Sequence, residues 1–131
     1  MQASNPDDRV LETLAAVRAA IATLRIPATP GEYDLHAQVG AALVEGGLDC
    51  RHEAQIAPRC RVDFLVGRVG IEIKKGKPPR ALLLRQAARY LESERLGALV
   101  VVVQRSASLP ALVRGKRCEV LCLNRLWGVA L

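Results

Sequence analysis

Two carboxylates and a lysine stand out in an otherwise apolar stretch of this chain, RVDFLVGRVGIEIKKG at residues 61–76. Asp63 interrupts the first apolar run, Glu72 interrupts the second, and Lys74 follows two residues after Glu72. Carboxylate oxygens are the ligands that Mg²⁺ prefers, and a divalent ion makes water acidic enough to attack a phosphodiester. These residue types predict a metal-dependent hydrolytic site in which Lys74 orients the water or stabilises charge on the phosphate.

The two apolar runs have the composition of β-strands, and the short Gly-Arg-Val-Gly segment between them favours a hairpin. Because side chains alternate between the faces of a strand, we expect Glu72 and Lys74 on one face. We expect Asp63 to point away from both of its chain neighbours, Val62 and Phe64, and to converge with Glu72. The alternative is a surface hairpin carrying an ordinary Glu–Lys pair, which contributes only ~0–1 kcal/mol.

The rest of the chain alternates between helical and extended patterns, which predicts a mixed α/β fold with a central sheet flanked by helices. Apolar spacing and Pro/Gly signals predict helices over 7–25, 31–46 and 79–95, strands over 50–57, 61–66, 69–75, 98–104 and 118–124, and a short helix or turn over 109–115. The run ALVVVVQ at 98–104 is typical of a strand covered on both faces.

Composition limits the classes of function. The length of 131 residues fits one domain, and the net charge of +6 favours a polyanionic partner. Aromatic residues make up only 3%, so no aromatic platform is expected for stacking bases. The polar start, the absence of a ~20-residue apolar run and four cysteines without CxxC spacing predict a cytoplasmic protein with no membrane partner and no zinc or iron–sulfur site.

Two motifs together resemble a known family. Asp63, followed after eight residues by Glu72-Ile73-Lys74, resembles the core motif of the PD-(D/E)XK nuclease superfamily, although Val62 stands where the name has proline. The segment Gln86-Ala87-Ala88-Arg89-Tyr90 is similar to the QxxxY motif of RecB-like and lambda-exonuclease-like members. The resemblance implies a restriction-endonuclease-like αβββαβ core over 31–104. An N-terminal helix and linker (1–30) and a C-terminal extension with a strand (105–131) complete one domain, 1–131.

The resemblance also implies an activity and a set of catalytic residues. The activity is that of a Mg²⁺- or Mn²⁺-dependent deoxyribonuclease, with exonuclease or endonuclease action left open. Asp63 and Glu72 would bind the metal, Lys74 would assist the nucleophile, Gln86 would position it, and Tyr90 would border the site.

A further metal ligand from the first core helix is common in this superfamily. Glu32 matches that position best, near the start of the helix. His36, one helical turn later, and Glu53, in the first predicted strand, are the other candidates. The sequence leaves the choice among the three open.

Basic side chains follow the predicted metal strand and continue along the next helix: Lys75, Lys77, Arg80, Arg85 and Arg89. We expect them to neutralise DNA phosphates and to give salt-sensitive binding without sequence preference. The alternative is an ordinary solvated helix face.

Two further questions stay open at the level of the sequence. The same fold also suits a catalytically silent module that binds nucleic acid or protein without cutting. A homodimer is expected by analogy with small Holliday-junction resolvases of the superfamily, and the apolar tail with Leu126, Trp127, Val129 and Leu131 would either form its interface or complete the core.

Overall fold

The computed structural model describes residues 6–24 and 34–123, and these residues form a mixed α/β fold. The helices are α1 (Pro6–Ala22), α2 (Leu35–Glu45) and α3 (Arg80–Leu91). The strands are β1 (Cys50–Ala57), β2 (Cys60–Val66), β3 (Val69–Lys74), β4 (Ala98–Val103), β5 (Leu112–Val113) and β6 (Lys116–Cys122). Glu32 and the apolar tail from residue 124 onwards lie outside the described residues. No helix within these ranges is both long and apolar enough to cross a bilayer.

The strands form one mixed sheet in the order β1-β2-β3-β4-β6-β5. The predicted hairpin of β2 and β3 is confirmed, since the two strands pair antiparallel. Strand β3 then pairs parallel with β4, and β4 pairs parallel with β6. Every residue of β4 is buried, as predicted for a strand covered on both faces.

Helices cover both faces of the sheet and create two hydrophobic cores. On one face, α1 and α2 contribute Leu14, Val17 and Leu35 to a core that also contains Ile71 and Ile73 of β3. On the other face, α3 packs its apolar stripe of Leu83, Ala87 and Leu91 against the opposite side chains of β4. Strand β3 therefore lies between two cores, and any polar side chain at its centre must be buried.

The segment 109–115, predicted as a short helix or turn, contains a turn at Arg114 and Gly115 and no helix, and Leu112–Val113 before the turn form a short strand that pairs with the start of β6. The reversal is made by Arg114 and Gly115, whose φ angles are 53° and 74°. Two consecutive positive φ angles are the signature of a tight hairpin turn that matches the twist of its strands. The helical spacing of the apolar residues in this segment is therefore overridden by the turn.

Helix α3 ends at Leu91, earlier than predicted, because a serine side chain redirects the chain. The Ser93 hydroxyl donates to the carbonyl of Ile56 at 2.6 Å and accepts from the backbone N–H of Arg95 at 3.1 Å. The ammonium of Lys116 donates to the carbonyls of Leu91 and Ser93, both at 2.8 Å. A cation on the final carbonyls stabilises a helix C-terminus and holds this end of α3 against the sheet.

Helix α1 approaches the start of β4 so closely that a glycine is required there. A Cβ on Gly97 would lie 2.6 Å from Cγ2 of Val10, and the valine side chain is stiff at χ1. We expect Gly97→Ala to lower the free energy of unfolding by ~1–3 kcal/mol through overpacking, measured by urea denaturation.

Val10→Ala provides the matched test of this cause. Alone it removes buried methyl groups and destabilises, but in the Gly97→Ala background it also removes the overlap. The double variant should therefore lose less free energy of unfolding than the two single variants lose in sum. Additive losses would show that the overlap is not the cause.

Candidate active site

The two carboxylates lie where the backbone pairing of β2 and β3 stops. The last backbone pair on this side of the hairpin is Phe64 with Ile71. Beyond it, the backbone N–H of Asp63 donates to Oε1 of Glu72 at 2.9 Å. The backbone N–H of Ile73 donates to Oδ2 of Asp63 at 2.8 Å. Each strand thus uses a carboxylate to accept the N–H of the other, and the two acids are fixed next to each other.

The prediction that Asp63 points away from both of its neighbours is wrong, because β2 changes face at this residue. Val62 is buried in the core on the α3 side of the sheet, whereas Phe64 is buried in the core on the α1 and α2 side. In a regular strand these two side chains would share a face. The Asp63 carboxylate instead accepts a backbone N–H of the neighbouring strand, which satisfies the donor that the broken pairing exposes.

Strand β1 changes face at the matching position. Ala54 pairs with Val62 in the α3-side core, whereas the ring of His52 stacks on Phe64 with centroids 4.9 Å apart. Glu53, between them, has a positive φ of 51°. Its carboxylate is exposed, and within the described part of the chain no hydrogen bond joins it to either acid of the site. The register places Glu53 across from Asp63, but the structure gives it no contact with the pair.

Glu72 is the one charged residue that is buried in the described ranges, with 6% of its surface exposed. Its Oε2 lies 3.5 Å from Nζ of Lys74 and accepts a hydrogen bond of 3.2 Å from the hydroxyl of Tyr90. The predicted positions of Glu72 and Lys74 on one face of β3 are therefore observed, and α3 supplies the third group. Two side chains, one from β3 and one from α3, therefore converge on one carboxylate.

The net effect of these surroundings is to hinder ionisation of Glu72. Burial raises the pKa of Glu72, and repulsion from Asp63 raises it further, while the Asp63 N–H, Lys74 and Tyr90 oppose the rise. Burial and the negative charge of Glu72 also raise the pKa of Tyr90, so its hydroxyl keeps the proton that it donates. Burial and the neighbouring Asp63 thus disfavour the ionised form of Glu72 more than Lys74 and the two hydrogen-bond donors favour it.

His36 reaches the site from the opposite face of the sheet. The side chain of Asp34 caps the start of α2 by accepting from the N–H of Ala37 at 3.2 Å, which places His36 in the first turn. Its Nε2 lies 3.4 Å from Oδ2 of Asp63. Of the candidates for a further ligand, His36 contacts Asp63, Glu53 has no hydrogen bond to either acid, and Glu32 lies outside the described residues.

Gln86 lies one helical turn before Tyr90 on α3 and is half-buried. Residues four apart on a helix share a face, so Gln86 lies on the face whose tyrosine reaches Glu72. Its side chain makes no hydrogen bond to any other described residue. The structure therefore places Gln86 beside the predicted site and not in contact with its carboxylates.

The predicted phosphate-binding residues are of two kinds in the structure. Lys75, Lys77, Arg80 and Arg85 are exposed. Arg89 is also exposed, but its Nη2 donates to the carbonyl of Arg59 at 3.1 Å, which ties α3 to the turn between β1 and β2. Four of the five cations are thus available to an anion, and the fifth already has a structural bond.

A groove that begins three residues after Lys74 along the chain involves residues that sequence reasoning did not single out. It has a volume of about 530 Å³ and lies between the loop after β3 and the loop after β4, where Ser106 and Ser108 contribute to its wall. One signal in the sequence was available: polar residues directly after a buried parallel strand mark the edge of an α/β sheet where ligands bind.

The donor set of the site is that of a hard divalent cation. Asp63 and Glu72 present carboxylate oxygens, which suit Mg²⁺ and Mn²⁺ better than softer metals. A buried acid whose ionisation is opposed by a second acid also fits a position where a cation restores the balance. In the described ranges, however, no group of three or more His, Cys, Asp or Glu residues is arranged to hold a metal.

Comparison with known proteins finds no match: no family model, no curated protein and no solved structure is significantly similar to this chain.

The raised pKa of Glu72 makes a prediction about stability. The folded protein retains a proton on Glu72 at pH values where the unfolded chain, with its ordinary pKa of 4.5, has lost it. Ionised Glu72 therefore costs stability, and this cost develops as the pH rises from the unfolded to the folded pKa. We expect Glu72→Gln to be more stable than the wild type at neutral pH, measured by urea denaturation in EDTA.

The stability gain of Glu72→Gln should shrink when unfolding is measured below pH 4.5, the ordinary pKa of this side chain, because the wild-type carboxyl is then neutral in both the folded and the unfolded state. Glu12→Gln, at an exposed position of α1, controls for the loss of one negative charge. A Glu72→Gln variant that is less stable than the wild type at neutral pH would contradict the electrostatic account.

Proposed function

We propose that this protein is a metal-dependent deoxyribonuclease with a restriction-endonuclease-like core. The observation that carries the proposal is the paired exchange of hydrogen bonds that fixes Asp63 beside Glu72, with Lys74 at 3.5 Å from the Glu72 carboxylate. The three residues that resemble the PD-(D/E)XK signature therefore contact one another in the fold. The simpler interpretation, an ordinary surface Glu–Lys pair, does not account for the burial of Glu72.

The order of elements supports the same proposal. From α2 to β4 the chain runs helix, three strands, helix, strand, with an additional helix before and two additional strands after. This is the αβββαβ order that the resemblance implies. The hairpin of β2 and β3 carries the acids, and the next helix carries Gln86 and Tyr90, as the two motifs require.

The residues have separable roles in the proposed reaction. Asp63 and Glu72 would hold Mg²⁺ or Mn²⁺, which when bound activates water and neutralises charge on the scissile phosphate. Lys74 keeps a quarter of its side chain exposed while contacting Glu72, so its ammonium can reach a phosphate oxygen or orient the attacking water. Tyr90 fixes the Glu72 carboxylate, and His36 fixes the Asp63 carboxylate from the other face.

The competing candidate is a catalytically silent module that binds nucleic acid. One observation favours it: within the described residues only two carboxylates come together, without a third ligand arranged around a metal. The two candidates share the basic surface and differ in whether the cluster supports hydrolysis. Cleavage assays with and without a chelator therefore separate them.

Lys74→Ala provides the sharpest test of the catalytic role. We expect it to lower the rate of Mg²⁺-dependent DNA cleavage by ~10²-fold or more, since a group that stabilises developing charge is removed. The neighbouring Lys75→Ala is the matched control, because Lys75 is exposed and should change the rate only a few-fold. The measurement is initial rates on labelled single-stranded, duplex and branched DNA.

Glu72→Ala and the addition of EDTA should each abolish the same activity. Circular dichroism must show that each variant keeps its fold. The nuclease proposal is lost if the wild type binds these DNAs without cutting any of them in Mg²⁺ or Mn²⁺, and the silent module then stands.

The basic surface makes a second prediction, on binding. Each cation that neutralises a phosphate adds about one to the slope of log K against log salt. We expect Arg85→Ala to reduce this slope by about one and Arg89→Ala to reduce it less, since Arg89 is bonded to the Arg59 carbonyl. Fluorescence anisotropy of labelled DNA across a salt series, in EDTA, measures both slopes. Equal slopes for the two variants would contradict the structural role of Arg89.

A further inference from the structure

The groove between the segments that follow β3 and β4 has the size and place of a ligand site. Its volume of about 530 Å³ lies in the range of ~300–1,000 Å³ that holds small molecules in proteins. Its walls are the segments that follow β3 and β4, two adjacent parallel strands. Ligands of α/β sheets bind at the carboxyl ends of such strands.

The two walls of the groove are joined by a side chain. The backbone N–H of Gly76, after β3, donates to Oε1 of Gln104, after β4, at 3.3 Å. The thiol of Cys122, at the end of β6, contacts the carbonyl of Gln104 at 3.8 Å. Gly76 has a φ of 68°, which turns the first wall back towards the second. The opening is therefore held in shape by the ends of three neighbouring strands.

The lining combines the three kinds of contact that a nucleotide needs. Lys77 and Arg80 supply positive charge, and Ser106 and Ser108 supply hydroxyls. The two prolines that precede α3, Pro78 and Pro79, supply an apolar surface, under which Leu83 is buried. The described residues that line the groove include no carboxylate, so an anionic ligand meets no repulsion from its walls.

The groove is adjacent to the proposed catalytic cluster along the chain. Lys77 follows Lys74 by three residues, so their Cα atoms lie no more than ~11 Å apart. This reach suits neighbouring nucleotides of one strand, with one phosphate at the cluster and the next nucleotide at the groove.

We propose that this groove binds one unpaired nucleotide of the strand that the Asp63–Glu72 site cuts. The apolar surface takes the face of the base, the serine hydroxyls its polar edge, and Lys77 and Arg80 its phosphate. A base inside a duplex cannot enter such a groove unless it is extruded. The substrate is therefore single-stranded DNA or DNA with an unpaired end or flap. This inference depends on the proposed nuclease function for the cut strand, but nucleotide binding is measurable without cleavage.

The binding test uses ¹⁵N-labelled full-length protein in EDTA, titrated with deoxyadenosine and thymidine 5′-monophosphates. Amide shifts should concentrate on Lys77, Arg80, Ser106 and Ser108. Ser108→Phe, at an exposed position on the rim, fills the groove and should weaken the fitted affinity about ten-fold or more. Arg105→Ala is the control, since Arg105 is an exposed cation of the same loop that does not line the groove.

Lys77→Ala removes a cation without adding bulk and should also weaken binding, which guards against a folding defect in Ser108→Phe. The inference is overturned if the shifts are absent or scattered. It is also overturned if inorganic phosphate alone produces the same shifts with the same affinity, because the groove then recognises an anion and not a nucleotide.

The cleavage test compares single-stranded, flapped and blunt duplex DNA of one sequence. We expect the wild type to prefer the first two and Ser108→Phe to lose that preference, whereas the control Arg105→Ala should keep it. Preference for blunt duplex would overturn the inference and leave the nuclease proposal intact. If nucleotide shifts the amide signals at the groove but no DNA is cleaved, the nuclease proposal is overturned and the nucleotide-binding site is retained.

Discussion

The structure depends on an exchange of two hydrogen bonds between β2 and β3. In most of the sheet, backbone carbonyls accept the N–H groups of the next strand, but at Asp63 and Glu72 two carboxylates take their place. A buried N–H without a partner is costly, so these acids satisfy a structural requirement of the sheet. The same bonds fix the direction of both acids, and the site is organised by the fold before any ligand arrives.

The remaining contacts set the electrostatic balance around that exchange. Tyr90 approaches Glu72 from the α3 side, and His36 approaches Asp63 from the α2 side, so each acid is held by a helix on a different face. Lys74 alone does not offset the burial of Glu72, whose pKa remains raised. A bound cation would favour the ionised form of Glu72, while the exposed basic residues of the next loop and α3 attract polyanions. Glu72 and these basic residues lie on consecutive segments of the chain: β3, the loop after it and α3.

Much of this arrangement was predictable from periodicity, and the rest depended on local geometry. The hairpin, the buried β4 and the common face of Glu72 and Lys74 follow from alternation and turn residues. The face change at Asp63 does not, because alternation assumes an unbroken ladder and only the three-dimensional pairing reveals the break. The strand at Leu112–Val113 was missed because Arg114 adopts a positive φ that its residue type does not indicate. The contact of His36 required knowing where α2 crosses the sheet.

The left-handed residue in β1 has a consequence for self-association. Strand β1 forms one edge of the sheet, and an edge of regular strand offers a template to which another chain can add. At Glu53 the positive φ turns the backbone out of the extended conformation, so donors and acceptors on either side no longer form one continuous row. A second molecule cannot extend the sheet along the whole of β1.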